Sequence, residues 1–450
     1  MLVLRLSRIC LGRTLSTSAV CSSSANPEKA QDPCPQVLTK GERPEFYQID
    51  GKRIATDNMW NLSSAVHGLL NRRLLLDQYN PLSLLKQRIV DHMHQTYRKS
   101  GGGGRSPLFT VCENEPRIVT VFENFDSLLT PPDHVSRRPS DTYYINKSHC
   151  LRAHTSAHQY QLLKEGLNAF LVFGDVYRRD EIDRTHYPCF HQLEGVRLFS
   201  QGELFNTPPG SELPILENGK RTPEKQEKHT QDAAKALEIQ LKTTLEGLSD
   251  ALFGSACEKR WVDAYFPFTH PSFELEVFYE GKWMEVLGCG IMEQKLLESA
   301  GVGDRVGWAF GLGLERLAMV LYGIPDIRLF WSKDSGFLSQ FQGKSPTDEV
   351  KYKAISVHPQ VLFDMSFFLP DGVVFSDMTA NVNDTVRNVG GDLVEQVKLT
   401  DEFINKKNRR SQTYRIVYRS HSKALTKDEV NVVHKQITDQ LVELYGVTMR

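Results

Sequence analysis

Phe170-Leu-Val-Phe-Gly-Asp-Val-Tyr-Arg178 is apolar for most of its length and then ends on a cation, with Arg179 and Asp180 behind it. After a polar stretch, His191-Gln-Leu-Glu-Gly-Val-Arg-Leu-Phe199 returns as a second run of strand formers. The two read as long strands joined by a polar loop. What constrains the fold is the polar content of this pair. Arg178, Gln192 and Glu194 must face something that satisfies them, because a bare charge in a low-dielectric sheet costs several kcal/mol. The bland arrangement is a cross-strand Arg178–Glu194 pair on a wetted face; the sharper one is a floor that binds a charged ligand.

A second element is Gly307-Trp-Ala309-Phe310-Gly311-Leu-Gly313-Leu-Glu315-Arg316. Its glycines let a backbone approach a ligand closely, and Arg316 opens the helix that follows. A guanidinium there suits a nucleoside triphosphate, since it stacks on a base and contacts phosphate oxygens. Alone the signal is weak, because glycine corners more often mark tight packing. The spacing is neither a Walker loop nor a dinucleotide fingerprint.

The rest of the chain divides around these elements. Met1 to Ala25 carry Arg5, Arg8 and Arg13, no acid, and a hydroxyl-rich stretch, the pattern of a mitochondrial transit peptide. Residues 26–104 form an N-terminal extension with one helix after Pro81, ended by Gly101 to Gly104. A catalytic region is expected over 105–331, with a helix at Asp232 to Phe253 and a hairpin turning at Glu280-Gly281. A linker at 332–353, expected to serve as a hinge, precedes a βαββαβ module over 354–450, the order of a ferredoxin-like fold. Thr426 and Glu429 form a capping box there. The fold class is therefore α+β.

With 450 residues, two or three domains are expected. No apolar run of about 18 residues occurs, so no membrane partner is expected. Fifty-four basic and 55 acidic residues balance to a net charge of -1, so positive charge for a nucleic acid must be local. Eight scattered cysteines with no C-x-x-C pair argue against a zinc ribbon and give little support to a disulfide framework; no metal site is expected.

Taken together, the two elements resemble motifs 2 and 3 of class II aminoacyl-tRNA synthetases. Leu151-Arg-Ala-His154-Thr155-Ser156-Ala157-His158-Gln159, Phe266-Pro-Phe268-Thr-His-Pro-Ser272, Glu285-Val-Leu-Gly288-Cys-Gly290 and Asn124-Phe-Asp-Ser-Leu-Leu narrow the likeness to the phenylalanyl-tRNA synthetase family. The resemblance runs from about Pro107 to the C-terminus. It implies a class II antiparallel sheet flanked by helices, and a ferredoxin-fold anticodon-binding module on the same chain, as in the family's single-chain mitochondrial forms. Two departures stand out: Asp133-His134-Val135 replaces the family's Asp-His-Pro, and Arg178-Arg179-Asp180 replaces its Arg-x-Glu.

The resemblance implies an ATP-dependent ligase that makes phenylalanyl-adenylate with Mg²⁺ and passes the acyl group to tRNA(Phe), in the mitochondrial matrix, as a monomer. Arg178 is the expected α-phosphate contact, and Arg316 the expected adenine and terminal-phosphate contact. Phe190 would cover the adenine, and Glu285 would hold the ATP–Mg²⁺ or the amino group. His154, Ser156, Ala157, His158, Gln159, Gln192, Leu193 and Glu194 match positions around the amino acid, with Thr185, His186 and Tyr187 nearby. Phe266 and Phe268 would face the phenylalanine ring, with Ala309 and Gly311 setting pocket depth and Phe310 between them also at the substrate. No separate editing domain is expected. For tRNA, Lys406, Lys407, Arg409, Arg410, Arg415 and Arg419 fall in an acid-free basic run between Glu402 and Asp428, with Tyr414 and Tyr418 interleaved. The rivals are a non-enzymatic RNA-binding relative, which would be expected to lose Arg178, Glu194 or Arg316, and an acyl-adenylating enzyme without tRNA, which the basic module argues against.

Overall fold

The computed structural model describes residues 43–99, 106–206, 213–333, 335–354, 358–405 and 409–450. The expected transit peptide, the glycine tether, and Lys406 and Lys407 lie outside them.

The larger sheet has seven strands: β1 (Thr110–Cys112), β2 (Ala169–Tyr177), β3 (Cys189–Phe199), β4 (Lys259–Phe266), β5 (Thr269–Tyr279), β6 (Lys282–Met292) and β7 (Val306–Gly313). Their order is β1-β2-β3-β7-β6-β5-β4. Every pair is antiparallel except β1 with β2. Glu280 and Gly281 both take positive φ (50° and 83°), which a two-residue hairpin turn between twisted strands requires.

Three helices matter most for the site: α1 (Pro81–Thr96), α2 (Gln231–Phe253) and α3 (Leu314–Tyr322). Helix α2 starts on a Thr230 side-chain cap and ends at Gly254, burying Leu237, Leu241, Leu245, Leu248 and Leu252. Each buried leucine contributes about 2 kcal/mol relative to exposure. Alternation sends Leu193, Trp308, Phe310 and Leu312 to the core that also takes these helices. The opposite face carries Glu194, Val196 and Ala309; its apolar end, with Val196 and Ala309, packs in a smaller cluster around Leu162 and Leu163.

The C-terminal module follows the expected order: β8 (Val361–Phe368), α4 (Phe375–Gly390), β9 (Val394–Ile404), β10 (Arg410–Tyr418), α5 (Lys427–Tyr445) and β11 (Thr448–Met449). Its sheet runs β9-β10-β8-β11. Thr426 and Glu429 close the capping box that opens α5.

The stretch expected to be a free linker is packed. Phe337, Phe341 and Val350 are buried in the larger core, and Phe337 and Phe341 lie 5.3 Å apart, centroid to centroid. Among the described residues no helix is long and apolar enough to cross a membrane.

Candidate active site

On the ligand-facing side of the large sheet two cavities adjoin. The smaller, about 280 Å³, is lined by Arg178, Asp180, Thr185, His186, Tyr187, Phe190, Gln192, Glu285 and Arg316. The larger, about 640 Å³, takes in His154, Thr155, Ser156, Glu194, Phe266, Phe268, Ala309 and Gly311. Arg178, Asp180, Gln192, Glu285 and Gly311 line both. Arg178 and Arg316, which lie 138 positions apart in the sequence, thus face one space.

Arg178 follows directly on β2. Its Nε donates to the Ala153 carbonyl at 2.9 Å, and its guanidinium lies 5.1 Å from the centre of the Phe190 ring. Glu194 takes its hydrogen bonds elsewhere, so the floor is not an Arg178–Glu194 ion pair. Arg316, on the first turn of α3, reaches Glu285 at 3.3 Å while its side chain stays 60% exposed. Two guanidiniums at one cavity, one half-buried and one open, form a receptor for several anionic oxygens.

The larger cavity has a polar end and an apolar end. At the polar end, Glu194 is 3% exposed and accepts from Gln159 Nε2 and, at 3.4 Å, from Thr155 Oγ1. Burial pushes its pKa up to about 7, against the opposing bonds from Ser156, Gln159 and Thr155. The Thr155 backbone N–H donates to Gln192 Oε1 at 3.3 Å. Burial and the charge of Arg178 hold His154 down at about 3, so its imidazole is neutral. Among the described residues, His154 Nδ1 and Gln159 Oε1 have no hydrogen-bond partner. Buried polar atoms left open beside a cavity are what a ligand's ammonium and carboxylate would engage.

At the apolar end the rings of Phe266 and Phe268 lie 6.1 Å apart and nearly parallel, at 24°. A Cβ on Gly288 would sit 2.7 Å from Phe266 Cζ, so any side chain there would displace that ring. Ala309, 3% exposed, faces the same slot.

Several expected site residues stand apart. Leu193 points into the core. Phe310 borders the larger cavity, but its ring packs against Gly195 on the core side, where a Cβ would collide with it. Ala157 belongs to a small cluster with Val119, Phe125, Tyr144 and Cys150. His158 is buried, and its Nε2 accepts from Arg152 Nη1 at 3.0 Å. Thr185 and His186 reach the smaller cavity's rim but are tied to Asp183, at 2.9 and 2.8 Å, and Tyr187 donates to Asp392 at 3.2 Å.

Most of the described basic residues named for RNA are occupied. Arg415 makes a bidentate pair with Asp364, Arg419 reaches Glu395 at 3.4 Å, and Arg410 donates to the Val373 carbonyl. Arg409 lies over the Phe368 ring at 4.0 Å. Tyr414 and Tyr418 are core residues, 1% and 0% exposed, and not interleaved surface aromatics.

Thr155, His191 and Glu315 were missed by sequence reasoning; their only signal was adjacency, each sitting next to a residue that was singled out. Asp180, noted in the sequence only as a departure from Arg-x-Glu, lines both cavities.

A family model described as tRNA synthetases class II core domain (F) matches residues 88–204 and 234–341. One described as ferredoxin-fold anticodon binding domain matches 356–450. The mitochondrial phenylalanine–tRNA ligase of Mus musculus is 51% identical over 418 residues, covering 92% of this chain and 91% of that protein. The probable mitochondrial enzyme of Drosophila melanogaster is 46% identical and covers 97% of each chain. That of Saccharomyces cerevisiae is 35% identical, covering 90% and 95%. With a class II core, a ferredoxin-fold module and such relatives along nearly its whole length, this chain belongs to the phenylalanine–tRNA ligase family.

Proposed function

We infer that the chain attaches phenylalanine to tRNA(Phe) for mitochondrial protein synthesis, with ATP in the smaller cavity and phenylalanine in the larger. The observation that carries the assignment of the two cavities is their junction: Arg178 and Gln192 line both, so a nucleotide and an amino acid meet there. Phe190 and Arg316 take the adenine from its two faces. Arg178 meets the α-phosphate. Glu194, with Gln159, receives the ammonium, and the two phenylalanine rings with Ala309 hold the side chain.

Activation joins two anions. The amino acid carboxylate attacks the α-phosphorus, a new C–O–P linkage forms, and the P–O bond to pyrophosphate breaks. Arg178 offsets charge growing on the phosphoryl oxygens, and positioning supplies the rest, so no protein nucleophile is needed. A terminal ribose hydroxyl of tRNA then attacks the acyl carbon, its proton departs, and AMP leaves. Among the described residues no group of three or more His, Cys, Asp or Glu could cage a metal. Glu285, 46% exposed at the cavity, with Asp180 nearby, fits an ion that arrives with the phosphates and keeps most of its own shell. Such a Mg²⁺ supplies charge neutralisation to the leaving pyrophosphate.

In the terminal module, Arg409 with Lys406 and Lys407 is the basic group proposed for the anticodon stem, since Arg410, Arg415 and Arg419 already have partners. We place the chain in the matrix on the strength of its arginine-bearing, acid-free start and its mitochondrial relatives, and read it as a monomer because both family modules lie on one polypeptide. ATP–pyrophosphate exchange tests the reading: phenylalanine drives it, tyrosine far less, and Arg178→Ala abolishes it. Equal exchange with both amino acids would overturn the assignment of the apolar slot.

A further inference from the structure

Strand β7 stops pairing with β3 at Gly313, opposite Gln192. The next residue of β3 toward the loop, His191, therefore presents its backbone N–H where the chain has already turned into α3. Glu315 fills that gap. Its Oε2 accepts from the His191 N–H at 2.8 Å, and its Oε1 accepts from His191 Nδ1 at 2.6 Å. A carboxylate only accepts, so Nδ1 carries the proton. Both residues are buried, at 1% and 3% exposure. The indole of Trp331 packs on the imidazole, 6.1 Å between centres. His191 Nε2 has no protein partner among the described residues and opens on a space of about 20 Å³ lined by Arg152, Asp175 and Glu115, room for about one water.

This contact lies at the floor of the nucleotide cavity, whose lining also includes Glu315. Phe190 and Gln192 flank His191 and point the other way, into the cavity. Arg316 follows Glu315. Helix α3 has no side-chain N-cap, Gly313 holding that position, so its first turn is tied to the sheet by the buried Glu315 carboxylate and by the longer, exposed Arg316–Glu285 contact. We propose that Glu315 is a positioning residue for amino acid activation: through His191 it fixes the exit of Arg316 relative to Phe190 and Gln192, so that adenine and phosphates meet a set geometry. The inference rests on the assignment of ATP to the smaller cavity.

The test is pyrophosphate exchange with the full chain, varying ATP and phenylalanine separately. Glu315→Gln puts an amide donor against one of two donors, and His191→Phe deletes the ring bond. Each raises the KM for ATP about tenfold or more, the scale of a lost charge-assisted hydrogen bond, while the KM for phenylalanine stays within about twofold. His191→Asn, whose amide can donate from the Nδ1 position, keeps a near-native KM for ATP. The double variant is no worse than the worse single one, because both remove the same contact. Arg316→Ala is the control. If it raises the KM for ATP and Glu315→Gln does not, the positioning role is wrong; if it too has no effect, the nucleotide assignment fails first. Parallel rises in both KM values, or His191→Asn behaving like His191→Phe, would reduce the contact to general packing. Should Glu315→Gln not fold, the two His191 variants, matched for melting temperature, decide the matter.

Discussion

Glu194 carries two opposed demands. Its place beside Gln159, Thr155 and Ser156 suits an ammonium, yet burial favours the protonated acid, with a pKa near 7. The folded-state pKa lies above the ordinary carboxylate value of 4.5. Its stabilising contribution is therefore complete below about pH 4.5 and is lost as pH rises through 7. A phenylalanine ammonium reverses that loss by pairing with the charged form. The rise in melting temperature on adding phenylalanine should thus grow between pH 6 and 8, and the KM for phenylalanine should fall over the same range. Glu194→Gln should bind phenylalanine weakly and flatten both profiles. Differential scanning fluorimetry across pH reads the first directly, and a pH-independent shift in the native chain would remove Glu194 as the ammonium acceptor. His154, held at about 3, contributes no slope in that window.

At the scale of elements, strands β6 and β7 set the depth of the amino acid slot through residues that lack side-chain bulk. A Cβ on Gly288 would press on Phe266, and overpacking of this kind costs about 1–3 kcal/mol. Gly288→Ala should push the Phe266 ring into the slot and raise the KM for phenylalanine about tenfold, with the KM for ATP little changed, as exchange kinetics would read. Ala309→Gly should do the reverse and admit para-substituted analogues, measurable as exchange driven by p-chlorophenylalanine. The hairpin of β5 and β6 was legible in the sequence because alternation of the Phe273 to Tyr279 kind reads as a strand. Which face a residue takes was less so. Leu193 and Phe310 sit inside recognisable motifs, but the two-residue period turns both into the core. Tyr414 and Tyr418 misled for a related reason. Aromatics alternating with cations describe an RNA-binding strand and equally a strand with one face buried; here Phe367 stacks on Tyr414 and Phe363 meets Tyr418, so the second applies. The 332–353 stretch looked like a tether because its apolar anchors, Phe337, Phe341 and Val350, are sparse among polar residues.

Across the whole molecule the two hydrophobic cores are joined by charge. Asp384, 5% exposed on α4, meets Arg179, Arg387 and the Tyr143 hydroxyl. Glu395, 2% exposed on β9, meets Arg184 at 2.5 Å, Arg419 at 3.4 Å and Arg328 at 4.0 Å. Between them, Ile182 enters the core of the C-terminal module, and its carbonyl accepts from Val397 N–H at 2.8 Å. The loop so held, residues 179–187, also supplies Asp180, Thr185, His186 and Tyr187 to the nucleotide cavity. No sequence pattern announces the pairings of Arg179 with Asp384 and Arg184 with Glu395, because the partners lie some two hundred positions apart and each ion looks like an ordinary surface charge. Removing one member of a buried ionic cluster leaves its partners uncompensated and costs about 3–5 kcal/mol. Glu395→Ala should therefore loosen the C-terminal module, whose own core and capped helix α5 keep it folded. A larger radius of gyration by small-angle scattering and a higher KM for ATP in pyrophosphate exchange should appear together, since one loop serves both the interface and the cavity. An enlarged radius with unchanged ATP kinetics would separate the two, leaving the loop held by the catalytic core alone. An unchanged radius would leave the Asp384 cluster and Ile182 as sufficient to hold the module in place.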